Sequence, residues 1–127
     1  MEKKEVAITK FADQRENIHN VIKMCRGLKN LKPSDRVFLK PNIFMWDRVY
    51  PFPKYGVVTT TVVIEEVVKM LKDTGCSNIF IGEATVKDKV LGSSTQAAFQ
   101  GLGYYEMGKR YGVKLIDFYK ERFTNRF

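Results

Sequence analysis

The chain has little that would hold a metal or cross a membrane. It carries two cysteines, Cys25 and Cys76, far apart and in no C-x-x-C pair. No zinc or iron–sulfur ligand set is therefore written in it, and no cofactor is assigned. The two thiols read as small packed hydrophobes, which suits a reducing compartment. The one histidine, His19, lies off the apolar stripe of its helix and is expected to face solvent. No apolar run approaches the roughly 20 residues of a membrane span. The opening MEKKEVAITKF lacks the apolar centre of a signal peptide. The expectation is a cytoplasmic protein with no membrane partner. Glycine is present, but no G-x-G-x-x-G follows the first strand and no P-loop pattern occurs, which disfavours a dinucleotide cofactor or a P-loop.

What is there begins with charge. Lys and Arg number 22 against 14 Asp and Glu, a net charge of +8. Such a balance favours anionic partners, and it equally describes a solvated lysine-rich surface. No arginine-rich block makes a case for nucleic acid. At 127 residues, with 44% hydrophobic residues, the chain is one domain that can build a core without staples.

Val6–Phe11 reads as a first strand. Ile18, Val21, Ile22, Cys25 and Leu28 form an i, i+3, i+4, i+7 stripe, so a helix is expected over 14–28 with Asp13 as its cap. Arg36–Leu39 is a short strand stopped by Lys40-Pro41, because proline has no N–H for a central ladder. Thr61–Asp73 opens with a β-branched run, yet Val63, Val67, Met70 and Leu71 share a helical face and Thr74-Gly75 fits a helix end. Glu65, Glu66, Lys69 and Lys72 fall largely off that face. Asn78–Gly82 is a buried strand closing on Glu83. Helix returns over 95–110, interrupted at Gly101 and Gly103, and Val113–Asp117 is a last strand. The order is β-α-β-α-β-α-β. It predicts an α/β fold, a three-layer and mainly parallel sheet with helices on both faces, Rossmann-like.

In such a sheet, ligands bind outside the C-terminal ends of the strands. Lys40, Glu83 and Asp117 end strands there. Asn42 follows the Lys-Pro turn, and Thr59 and Thr60 precede a helix whose free N–H groups favour an anion. Lys40, Asn42, Thr59, Thr60 and Glu83 are thus the candidate binders of a small anionic ligand. Each has a plainer reading: a solvated lysine, an Asx turn, helix caps, a lone rim acid. Nothing identifies a reaction, so enzyme or binding module stays open.

The loop from Pro41 to Val58 exceeds most connections. Its aromatic residues, with Phe44, Trp46, Tyr50 and Phe52 as the candidate interface, either fold back as a lid or meet another protein segment. Stacking of single-stranded nucleic acid on them is a lesser alternative.

Val37-Phe38-Leu39-Lys40-Pro41-Asn42 resembles the Lys-Pro-Asn signature of the family catalogued as domain of unknown function 362. Gly56-Val57-Val58-Thr59-Thr60 resembles its glycine-to-threonine loop, and Val62–Gly75 its next helix. The resemblance runs from Val6 to Asp117. It implies that residues 1–127 are one α/β domain, matching only the N-terminal part of a larger family domain. Many members look longer and append a ferredoxin-like cysteine cluster; this chain shows neither. The implied expectation is a sheet edge and an apolar patch without cover. That predicts a homo-oligomer, in first place a dimer, or pairing with a separate second half.

Overall fold

The computed structural model describes residues 6–46 and 58–121. Seven elements follow in order: α1 (Gln14–Met24), β1 (Arg36–Leu39), α2 (Thr61–Asp73), β2 (Asn78–Glu83), α3 (Thr95–Gly101), α4 (Tyr104–Tyr111) and β3 (Lys114–Asp117). The strands form one parallel sheet in the order β1-β2-β3. Leu39 lies opposite Ile81, and Glu83 opposite Asp117. Parallel neighbours need crossovers, and α2, then α3 with α4, supply them. The fold class is α/β.

Three strands are present among the described residues where the sequence predicts four. Val6–Phe11 has strand-like residues but belongs to no strand. Val6 and Ile8 are each 82% exposed and Phe11 76%. A strand needs a neighbouring edge to take its N–H and C=O groups, and local pattern cannot provide one. Asn17 holds this segment instead: its side-chain amide donates to Thr9 Oγ1 at 2.7 Å and to the Lys10 carbonyl at 2.9 Å.

Asp13 caps α1, accepting from the Glu16 N–H at 2.9 Å. The helix ends at Met24, short of the expected Leu28, and the chain then turns through Arg26 at φ 52°. In α2 the β-branched residues lower helix propensity by up to about 0.7 kcal/mol each. Burial of Ile64, Val68 and Leu71 returns roughly 1.5–3 kcal/mol apiece, so packing decides for helix. Gly75, at φ 85°, carries the chain out of the helix.

The core joins Ile79 and Ile81 of β2 to Ile64, Val68 and Leu71 of α2, Phe99 of α3, and Tyr104 and Met107 of α4. All of these meet on one face of the sheet. Side chains alternate along a strand, so Phe38, Phe80, Gly82 and Ile116 point to the other face. There the Phe38 and Phe118 rings stack with centroids 5.7 Å apart. They do so over Gly82, where any side chain would collide with both rings. The described helices gather on the Ile79 and Ile81 face. The described residues therefore make two layers, not the expected three.

α1 docks on α2 through charge. Glu65 and Glu66, off the apolar face read from the sequence, are buried, and His19 is engaged rather than facing solvent as expected. Arg15 bonds both carboxylates. His19 Nε2 lies 2.9 Å from Glu66 Oε2 and Lys69 Nζ 2.8 Å from Glu66 Oε1. Arg110 and the Tyr111 hydroxyl each donate to Glu65 Oε1 at 3.0 Å. Burial pushes both carboxyls up. For Glu66 the bonds from Lys69, Arg15 and His19 outweigh it, and for Glu65 the Tyr111 bond and the nearby Lys69 and Arg15 charges do so. Both end below the ordinary carboxylate value. A buried carboxylate survives only with such partners.

Candidate functional site

Glu83 closes β2 and is 4% exposed. Its Oε1 accepts from the Ala84 N–H at 2.8 Å and its Oε2 from the Ile43 N–H at 2.9 Å. Lys40 Nζ lies 3.1 and 3.2 Å from the two oxygens. Register brings this about: β1 and β2 are parallel neighbours, so their C-terminal ends share one rim. Pro41 breaks the ladder, and the chain then runs on beside the end of β2. The Val86 N–H donates to the Phe44 carbonyl at 3.0 Å. The carboxylate thus anchors the turn and holds a half-exposed lysine at the rim.

Asn42 and Thr59 meet across the long loop. The Asn42 N–H donates to Thr59 Oγ1, and the Thr59 N–H donates to the Asn42 carbonyl, both at 2.8 Å. The Tyr104 hydroxyl donates to the Thr59 carbonyl at 3.3 Å. Burial, and then the charge of Glu83, hold the Tyr104 phenol well above its ordinary range, so it remains a neutral donor.

Thr60 is the N-cap residue of α2, but its hydroxyl makes no capping bond. It accepts instead from the Gln14 side-chain amide at 3.3 Å. The Thr61 hydroxyl donates to the Leu102 carbonyl. A cleft of about 310 Å³ opens here, lined by Gln14, Thr60 and Thr61 with Val58, Val62 and Leu102. Its floor is the start of a 13-residue helix, whose first N–H groups have no intrahelical acceptor.

The structure therefore joins the sequence-derived residues in two groups. Lys40 and Glu83 pair directly, and Asn42 and Thr59 pair directly, with Thr60 next in chain on the cleft. Asp117 lies opposite Glu83 in register, yet its carboxylate takes the Tyr119 N–H at 3.1 Å. Nothing in the local sequence marks Gln14 or Tyr104, because each finds its partner about 45 positions away. Of the interface candidates, Phe44 is 65% exposed. Trp46 turns inward against the core, its indole lying where any side chain at Gly101 would sit. Tyr50 and Phe52 lie outside the described residues.

Among the described residues, no group of three or more His, Cys, Asp or Glu side chains is placed to hold a metal ion. No described helix is long and apolar enough to cross a membrane.

Residues 37–126 match the family described as Domain of unknown function (DUF362). The match covers most of the chain, and the chain belongs to that family. No curated protein matches it, and no solved structure does.

Proposed function

With that family membership as the premise, we propose that the chain binds a small anionic molecule at the C-terminal edge of its sheet. One observation carries the reading. The Lys-Pro-Asn turn is stapled to Thr59, two residues before α2, which ties the strand end that carries Lys40 to an uncapped helix N-terminus. Glu83 holds Lys40 by a single carboxylate, which leaves ammonium donors for a ligand. The α2 dipole and its first N–H groups favour negative charge beside the cleft. Gln14 and Thr60 add neutral donors, while Val58, Val62 and Leu102 limit the size of any apolar part.

A thermal-shift screen of phosphorylated and carboxylated metabolites tests this. A ligand should raise the midpoint of the wild type and raise that of Lys40→Ala and Thr60→Val less. If no compound stabilises the wild type more than Lys40→Ala, the reading fails.

A second reading, assembly through the aromatic loop, is favoured by the exposure of Phe44. It includes the dimer. Phe44→Ser should then lower the sedimenting mass while the fold stays. An unchanged mass rules it out. The three-layer, Rossmann-like arrangement belongs to this proposal too, since it needs a second layer on the face that carries Phe38.

A further inference from the structure

The face of the sheet away from the helices is built to be covered. Parallel strands are buried on both sides in α/β folds, and their sequences show it as continuous apolar runs rather than alternation. β2 reads that way: Ile79, Phe80 and Ile81 are consecutive, and only the two isoleucines meet the core. Phe80 therefore points to the other face, with Phe38 beside it on β1 and Ile116 one row further along β3, opposite Gly82. Phe118 extends the strip by stacking on Phe38, and Phe38 is still 47% exposed.

The same face carries two cations. Arg36 precedes Phe38 by two residues on β1, about 6–7 Å along the strand, and Lys114 lies opposite Phe80 in register, so both cations are on this face. Lys114 Nζ lies 5.5 Å from the Phe80 ring centroid. Neither cation joins an ion pair among the described residues. In contrast, the cations near Glu65, Glu66 and Glu83 are all paired. The face thus offers an aromatic strip bounded by uncompensated positive charge.

We propose that this face docks an amphipathic helix of another protein, whose apolar stripe covers Phe38, Phe80, Ile116 and Phe118 and whose acidic flank meets Arg36 and Lys114. A helix is the element that closes a parallel sheet. Charge selects its chemistry: an acidic flank is steered to the site and fixes the register, while a basic one is repelled. A second copy of this chain brings the same net charge of +8 and is disfavoured on that ground. The surface is separate from the anion-binding rim and from Phe44.

Two synthetic helical peptides of about 18 residues, or five turns, test the proposal. Both share one leucine stripe; one has glutamate flanks and the other lysine flanks. In anisotropy titrations at low salt against the whole chain, the glutamate peptide should bind about tenfold more tightly or better. The double variant Arg36→Glu, Lys114→Glu should reverse the preference. Both positions are exposed, so circular dichroism should stay that of the wild type. Phe38→Ser should weaken the glutamate peptide. Equal binding of the two peptides, no binding, or an unreversed preference overturns the proposal. So does a self-association that Phe38→Ser abolishes in sedimentation, which assigns the face to a second copy. Binding of oligothymidine that is lost in Phe38→Ser likewise overturns it, in favour of nucleic acid.

Discussion

Asn42 and Thr59, 17 positions apart, exchange two hydrogen bonds of 2.8 Å, one through the threonine hydroxyl and one between main chains. The pair closes the long connection between β1 and α2 at its base. Closure fixes where the Lys-Pro-Asn turn stands relative to the helix start, whatever lies between. It also gives Thr59 a role that a helix cap does not describe. Its hydroxyl serves the far end of the loop, and the cap position falls to Thr60.

Replacing that hydroxyl should therefore act on stability through the loop. Thr59→Val removes the acceptor for the Asn42 N–H and should cost about 1 kcal/mol. Thr59→Ser keeps the acceptor and should stay close to the wild type. Urea unfolding midpoints of the two variants decide it. Equal losses would mean that the methyl packing, not the bond, matters.

Glu83 should matter more. Glu83→Ala strands the Ile43 and Ala84 N–H groups and leaves Lys40 without its partner. The expected loss is about 3 kcal/mol, a fall in melting temperature on the order of 10 °C. Glu83→Gln retains one acceptor oxygen and should lose less. A Glu83→Ala protein that melts with the wild type would show that the carboxylate is not structural.

Gly101 is required by Trp46. A side chain at Gly101 collides with the indole, so Gly101→Ala should cost about 1–3 kcal/mol. It should also change the emission of the single tryptophan in the chain. Trp46→Leu in the same chain should relieve part of the loss. Additive effects in that double variant would mean the two residues do not touch.

Acid should loosen α1 from α2. The Glu65 and Glu66 carboxyls are held below their ordinary value of 4.5. A depressed carboxyl contributes its stability in full above that ordinary value and loses it as pH falls through the lower, folded value. Stability should thus decline below about pH 4.5, and Glu66→Gln should be less stable at neutral pH but show a shallower decline. Chemical denaturation at a series of pH values reads both. Parallel pH profiles for the two proteins would contradict the assignment.

Residues that signal structure to their immediate neighbours were legible. Pro41 stops β1 where the sequence places the stop, and Gly75 ends α2 at the expected point. Gly101 and Gly103 divide the late helical segment into α3 and α4. The rim that joins Lys40 to Glu83 also followed, because parallel strands alternating with helices put their C-terminal ends together. Val6–Phe11 failed for the complementary reason: strand residues become a strand only beside a free edge.

The sequence by itself determined the α/β class, the helical span of α2 and the strand ends that carry the candidate site. These depend on period, proline and glycine, which act over a few residues. The core face of α2, by contrast, is Ile64, Val68 and Leu71 rather than the expected Val63, Val67, Met70 and Leu71. Tertiary structure alone decided the rest. It buried Glu65 and Glu66, because cations and a tyrosine from α1 and α4 arrive to pair with them. It turned Trp46 inward, because Gly101 leaves room for the ring. It left Phe38 facing outward, because burial is set by which elements are there to cover a face, and no local pattern carries that information.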